Sequence, residues 1–195
     1  MLSQFGRLFA MELNAEARAL SDQRGIVRAE AGMLPDRIPF GDQQFDVITA
    51  FDVLEHIEPD FETLVALHAR LAVGGKLLIT VPAFPFRWSA HDESHHHKRR
   101  YTLQPLVSLI SLIERAGYQV LLATYCNFWL FPIAAAARLL DRLKGSSRYQ
   151  NSAQLSIPSD PLYRLLEAIF ASERHLHGII PFPFGVSTVL LAEKS

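Results

Sequence analysis

Along the chain, short apolar runs alternate with longer stretches whose apolar residues recur every three or four positions. The runs at 7–13 (RLFAMEL), 26–30 (IVRAE), 45–51 (FDVITAF), 76–82 (KLLITVP), 118–125 (YQVLLATY) and 186–193 (VSTVLLAE) predict β-strands. The stretches between them predict helices with identifiable ends. Asn14 is placed to cap a helix over 15–24 that Gly25 closes. Asp60 can cap 61–72, where Leu64, Leu67 and Leu71 share a face and Gly74-Gly75 supplies a stop. Thr102 can cap a helix to Ala116, with Leu106, Leu109, Ile110 and Ile113 as its stripe and Gly117 as its end. Further on, helices over roughly 128–144 and 160–176 flank a polar loop, KGSSRYQNSAQ (144–154). Strands separated by helices in this way predict parallel β-α-β units and an α/β, doubly wound sheet.

Composition adds limits. The 195 residues predict one domain; 49% are apolar and 20% charged, enough for a single core. A net charge of −1 excludes a protein that coats nucleic acid and leaves residues 95–100 as the one dense basic cluster. The single cysteine, Cys126, excludes an intramolecular disulfide or a Cys-rich zinc module and fits a reducing, cytoplasmic setting. Glu12 and Glu16 break the apolar run near the N-terminus and argue against a signal peptide. The most membrane-like stretch, FWLFPIAAAA (128–137), is interrupted by Pro132 and far short of the roughly 20 residues a span needs. It reads as a buried helix, or as one that touches lipid or a greasy substrate.

In an open α/β sheet, ligands bind beyond the carboxyl ends of the strands. Glu12 closes the first run, Glu30 and Ala31 the second, Ala50, Phe51 and Asp52 the third, and Pro82 the fourth. A carboxylate at a strand end can accept hydrogen bonds from both hydroxyls of a ribose, which suits Glu12 to a nucleoside ligand. It also suits the first turn of a helix, where its charge meets the positive end of the dipole. Both readings stand at this point.

The fourth exit runs into HDESHHHKRRYT (91–102). His91 and His95 have the spacing of a helical zinc site, but Asp92 stands where the motif needs Glu, and a third ligand is still required. The prolines of VPAFPF also disfavour helix just before it, so no metal is expected. Trp88 and Tyr101 could stack on bases, yet no wider basic face accompanies them, and nucleic acid is not expected either.

Taken in order, MELNAEARALSDQRG, FDVITAFDVLEHI, LAVGGKLLITVPAFP and HDE…HHHKRRYT…LIERAGY resemble successive blocks of the class I S-adenosylmethionine-dependent methyltransferases. The branch they resemble includes the ubiquinone-biosynthesis-type small-molecule enzymes. The likeness covers residues 2–125 and, less specifically, the last strand. It implies a Rossmann-like, mostly parallel sheet with an antiparallel last strand, and S-adenosylmethionine as cofactor. It implies methyl transfer to a small-molecule or lipid-like acceptor. Residues 1–125 would form the cofactor-side core, 126–185 a helical insertion on the acceptor side, and 186–195 the last strand.

Carried over by position, Glu12 resembles the ribose-binding acid and Leu13 its apolar neighbour. Glu30 and Ala31 match the pair beside the adenine, with Glu where Asp is commoner. Ala50 and Phe51 match residues lining the methionine part and the sulfonium, and Glu55 and His56 match a recurrent pair in the next turn. Transfer from a sulfonium is an in-line displacement in which orientation dominates, and a base is needed only where the acceptor must lose a proton. On the acceptor side His91 then reads as that base or as an orienting residue, with Asp92 as its own orienter. Arg99 and Arg100, with Tyr101 beside them, could hold an anionic group of the acceptor. The alternative is that Arg99, Arg100 and Tyr101 lock the loop to the sheet edge. Apolar residues at 125–133 and 179–184 point to a hydrophobic acceptor, such as a quinone precursor or lipid-linked sugar, unless they are simply core.

One family block is missing. The glycine-rich turn after the family's first strand has no counterpart, since only MLSQFGRLFAM, with the single Gly6, precedes Glu12. The chain is therefore expected to begin inside the first β-α unit, as a truncated form. In the family that strand lies between the second and the fourth, so its loss should leave two edges unpaired. Either the strand at 7–13 closes up beside 45–51, or another subunit completes the sheet, or the chain is clipped. Cofactor binding by these residues alone is expected to be weak.

Two rivals remain. A nicotinamide-dependent oxidoreductase could use Glu12 equally well, although its short-chain form needs Lys four positions after Tyr101, where Pro105 stands. A non-catalytic, methyltransferase-like module could bind a partner, or oligomerise, through the open edge or the apolar 126–140 surface.

Overall fold

The computed structural model describes residues 4–25, 27–83, 103–132, 136, 160–176 and 182–195. In chain order its elements are β1 (Ala10–Glu12), α1 (Ala15–Gln23), β2 (Ala29–Ala31), β3 (Phe45–Phe51), a 3-10 turn (Leu54–His56) and α2 (Asp60–Arg70). There follow β4 (Leu71–Pro82), α3 (Leu103–Arg115), β5 (Tyr118–Cys126), α4 (Asp160–Ser172) with a closing 3-10 turn (Glu173–His175), and β6 (Ser187–Lys194).

β4 is the organising strand. Leu77, Ile79 and Val81 are buried while Leu78, Thr80 and Pro82 are half-buried, the pattern of a strand covered by helices on one face. Four strands run in the order β3-β4-β6-β5, with β3 parallel to β4 and β6 antiparallel to both its neighbours. The expected α/β sheet with an antiparallel last strand is therefore present. Leu64 and Leu67 of α2 and Leu109 and Ile113 of α3 join Leu71, Leu77, Ile79, Val81, Leu190 and Ala192 in one core. Each fully buried leucine, isoleucine or valine among them contributes about 1.5–3 kcal/mol. The Tyr118 hydroxyl is buried with them and donates to the Leu64 carbonyl at 3.0 Å, and burial pushes its pKa well up.

The sheet is in two pieces. β1 and β2 form a separate parallel pair, and among the described residues no ladder joins β1 to β3. The run at 7–13 has thus not closed up beside 45–51, and only three of its residues form strand. Phe9 is engaged elsewhere. Its ring meets Phe40 and Phe45 edge to face at 5.5 and 5.3 Å, and Phe40 meets Phe45 at 5.6 Å. This triad, with Leu34 and Ile38 packed on the main core, ties the small sheet to the large one.

Several boundaries differ from expectation. The second strand is Ala29–Ala31 rather than 26–30, because its only partner, β1, is itself three residues long. α2 ends at Arg70 rather than 72, because Leu71 is already extended and pairs with Phe45. Gly74-Gly75 is consequently not a helix stop but an irregularity within β4. Pairing passes from Phe45↔Leu71 to Val47↔Lys76, Gly74 adopts φ 74°, and a Cβ at Gly75 would lie 2.8 Å from the Ala72 carbonyl. α4 gives way to the 3-10 turn after Ser172, and β6 begins at Ser187. Residues 130–132 and 136 are helical; the rest of the helix expected over 128–144 lies outside the described residues, as does the cap Thr102. Asn14 does cap α1, accepting from the amides of Glu16 and Ala17 at 2.8 and 3.0 Å.

Removing the ring of Phe40 breaks two of the three aromatic contacts, each worth about 0.5–1.5 kcal/mol beyond burial. Phe40→Ala should lower stability by about 1–3 kcal/mol. Hydrogen exchange should accelerate in Ala10–Glu12 and Ala29–Ala31 and stay unchanged in Leu71–Pro82 and Ser187–Lys194. Uniform acceleration across all four segments would remove the triad from its bridging role.

Candidate functional site

Three groups of residues gather at strand exits. The first belongs to the small sheet. Its register sets Glu12 opposite Ala31 and Met11 opposite Glu30, so the residues expected beside a nucleoside share one end. Glu12 Oε1 accepts from the Asn14 amide at 2.8 Å, while Oε2 has no hydrogen bond among the described residues. Arg18 Nη1 donates to the carbonyls of Glu12 and Leu13 at 2.9 and 2.7 Å, which fixes the exit of β1 against α1. The two readings of Glu12 are therefore compatible: one oxygen serves the helix entry and the other stays available. Leu13 is 58% exposed, and Glu30 and Ala31 are exposed. Gly32 is consumed by packing, since a Cβ there would strike the side chain of Met11.

The second group ends β3. Ala50 is buried in the core, and Phe51 is 48% exposed. Asp52 then takes a left-handed conformation, φ 52°, which Asp tolerates better than most residues. Its amide donates to the Thr80 carbonyl at 3.0 Å, and the Thr80 hydroxyl donates to its carboxylate at 3.2 Å. This latch binds the exit of β3 to β4. In the following 3-10 turn Glu55 is fully buried and His56 is exposed.

The third group ends β5. Asn127 also has a left-handed backbone, φ 60°. Glu173, only 2% exposed, accepts from the amides of Asn127 and Trp129 at 2.7 and 3.1 Å. Gly185 presses on the same point, for a Cβ there would strike the Cys126 carbonyl. Phe128 stacks on Phe182 and Phe184 with centroids 5.2 and 4.7 Å apart, and Phe131 meets Phe184 at 5.0 Å. The Cys126 thiol is pushed up to about 12, first by burial and then by the negative charges of Glu173 and Asp52.

Of the residues picked from sequence, Glu12, Leu13, Glu30 and Ala31 stand together on the small sheet, and Ala50 and Phe51 stand on the large one. Among the described residues no ladder fixes the one set to the other. His91, Asp92, Arg99, Arg100 and Tyr101 lie outside the described residues. Sequence reasoning missed the Asp52–Thr80 latch and the Glu173 clamp. Their signals, a left-handed non-glycine residue and a partner 46 positions away, have no local signature.

A mixed sheet with helices between its strands and an acid closing β1 fits a Rossmann-like nucleoside-binding fold, the fold of the S-adenosylmethionine-dependent methyltransferases. The sequence profile of the methyltransferase domain matches residues 3–123, and the chain belongs to that family. No curated protein matches it. Among solved structures, a protein from Galdieria sulphuraria assigned as a sarcosine dimethylglycine methyltransferase is 17% identical, with a TM-score of 0.60 over 100% of this chain and 72% of its own. An S-adenosylmethionine-dependent methyltransferase from Mesorhizobium loti is 13% identical, with a TM-score of 0.56, 98% of this chain and 83% of its own being covered. Phosphoethanolamine N-methyltransferase 2 of Haemonchus contortus, in complex with S-adenosylmethionine, is 14% identical at a TM-score of 0.57; the match covers 99% of this chain and 44% of that enzyme.

S-adenosylmethionine is the cofactor of this class, and the residues present fit one end of it. The unbonded oxygen of Glu12 can accept from ribose hydroxyls, and the exposed Leu13 with the adjacent Glu30 and Ala31 offers a surface suited to a nucleoside. They do not fit the methionine end. Among the described residues no glycine turn follows a strand between β1 and β3, and Gly32 and Gly185 are both closed by chain-on-chain packing.

Asp52→Ala should lower stability by about 1–3 kcal/mol, because it loses the Thr80 bond and strains the left-handed backbone. Asp52→Asn, which tolerates that backbone and keeps an acceptor, should melt close to wild type. Equal melting of the two variants would show that the latch contributes nothing. A second outcome concerns Cys126. At pH 8 a thiol at about 12 is thiolate in only about one molecule in ten thousand, so iodoacetamide should modify it very slowly. Glu173→Gln removes a neighbouring negative charge, favours the thiolate and should accelerate alkylation measured by mass spectrometry. An unchanged rate would disconnect Glu173 from the thiol.

Proposed function

We propose that this chain carries the methyl-transfer site for an apolar small-molecule or lipid-like acceptor, as in the ubiquinone-biosynthesis-type branch. The observation that supports it best is the aromatic group at the exit of β5. Phe128, Phe131, Phe182 and Phe184 pack together there, beside a Trp129 that is 48% exposed. Such a surface suits an apolar acceptor better than a charged one. In this reading Glu12 takes the ribose hydroxyls, Leu13 lies against the nucleoside, and Glu30 and Ala31 flank the adenine. Ala50 and Phe51 face the methionine part. His91 serves as base where the acceptor is a hydroxyl, Asp92 orients it, and Arg99, Arg100 and Tyr101 hold an anionic group. Bound S-adenosylmethionine supplies an electrophilic methyl group, and the protein's contribution is orientation and exclusion of water. No helix among the described residues is long and apolar enough to cross a membrane. We read the chain as a single domain acting in the cytoplasm, with peripheral lipid contact where the acceptor is lipid-linked.

That no glycine turn cradles the methionine end among the described residues supports a second reading, a methyltransferase-like module that binds a partner without catalysis. Calorimetry with S-adenosylhomocysteine and an NMR titration with adenosine separate the possibilities. The chain alone should bind both with similar weak affinity, Kd above ~0.1 mM, or about 5.5 kcal/mol at most. Glu12→Ala should abolish that binding, and survival of it would sink the ribose assignment. Micromolar binding of S-adenosylhomocysteine with no other chain present would overturn the incomplete-site reading. With labelled S-adenosylmethionine at saturating concentration, a long-chain phenol should be methylated ahead of a water-soluble amine. The reverse order would reject the apolar acceptor, and labelling of neither would favour the binding module.

A further inference from the structure

Asn127, the residue that follows β5, carries a side chain that its turn does not need. Its backbone is left-handed, φ 60°, a conformation that glycine adopts at no steric cost. The residue is half-buried, and its Oδ1 is buried with no hydrogen-bond partner among the described residues. A buried acceptor left unmet is costly, and one at the end of a strand calls for a cause. Asp52 gives the contrast. It is equally left-handed at the exit of β3, but its carboxylate accepts from the Thr80 hydroxyl.

The position of Asn127 is firmly held. Glu173 accepts from its amide at 2.7 Å and from the Trp129 amide at 3.1 Å. Between them Phe128 stacks on Phe182 and Phe184, and its ring meets that of Trp129 at 4.9 Å. The orphan oxygen thus belongs to the residue that begins the aromatic wall. β5 runs parallel to β3 and β4 by way of the antiparallel β6, so this is the same end of the sheet as Phe51 and Pro82.

We propose that Asn127 binds the acceptor, its Oδ1 taking a hydrogen bond from a hydroxyl on an otherwise apolar molecule, and that Glu173 is the positioning residue that aims it. This rests on the reading of the β5 exit as the acceptor side. An amide oxygen accepts a hydrogen bond but does not take the proton away, so the hydroxyl held here keeps its own. It stands beside the group that is methylated rather than being that group. The acceptor class is therefore an apolar, phenol-like compound with two polar groups, one that reacts and one that is held.

The test reads binding to the intact chain, without cofactor, from the fluorescence of Trp129. A Trp88→Phe background leaves Trp129 as the single tryptophan. The probes are para-butylphenol and para-butylanisole, similar in apolar body, of which the ether has no O–H to donate. The phenol should bind about tenfold more tightly, the effect of one hydrogen bond to an otherwise unmet buried acceptor. Asn127→Gly keeps the left-handed turn and removes the oxygen. It should erase the preference, leave the ether's affinity unchanged and melt close to wild type. Glu173→Gln deprives one amide of its acceptor, and should narrow the preference and shift the Trp129 emission to longer wavelength. Equal affinity for the two probes would overturn the proposal while leaving the apolar acceptor site standing. A preference that survives in Asn127→Gly would place the contact on another residue. A marked fall in that variant's melting temperature would make the side chain part of the turn. An unchanged emission and preference in Glu173→Gln would remove its positioning role. Binding of neither probe would overturn the acceptor-side reading and the proposal with it.

Discussion

The contact that sets the small sheet against the large one is the aromatic triad of Phe9, Phe40 and Phe45. Glu12, Glu30 and Ala31 sit on a two-stranded sheet, and Ala50 and Phe51 sit on a four-stranded one. Among the described residues no backbone ladder spans the two, and their spacing is held by side-chain contacts, with Leu34 and Ile38 packed against the main core. Ring pairs contribute about 0.5–1.5 kcal/mol each and permit sliding, whereas a ladder fixes register residue by residue. The two sheets thus meet at a soft joint.

The other strand exits are held much more firmly. Asp52 and Thr80 exchange hydrogen bonds through both backbone and side chain, Glu173 clamps two amides beyond β5, and Gly185 allows the chain before β6 to lie against Cys126. Asp52 and Asn127 hold left-handed backbones, which cost energy and persist where surrounding bonds over-determine them. These three devices converge on the carboxyl ends of β3, β4 and β5, where an α/β sheet places its ligands. Rigidity is concentrated on the large-sheet side of the site.

Much of this architecture was legible in the sequence, for physical reasons that also explain the misses. Asn14, Gly25 and Gly117 announced helix ends because capping needs particular side chains or a left-handed residue at one position. Leu64, Leu67, Leu109 and Ile113 announced buried faces because helical period and burial coincide. Gly74-Gly75 misled, since a glycine pair that can end a helix can also bulge a strand, and only the pairing of Leu71 with Phe45 decides between them. The length of the first strand misled as well, because RLFAMEL has strand composition throughout while its partner offers three residues of ladder. Of the residues picked for a site, Glu12, Ala31 and Phe51 do close strands, as their positions in the sequence predicted. Glu173 was not foreseen, because its role arises from a long-range contact that no local pattern encodes.

An in-line displacement requires nucleophile, carbon and leaving sulfur to stay collinear, and a misplacement of about 1 Å can cost about a hundredfold in rate. A cofactor bridging Glu12 on one sheet and Phe51 on the other would inherit any motion between the sheets. Side-chain contacts of a few kcal/mol hold the average position but do little to narrow the excursions about it.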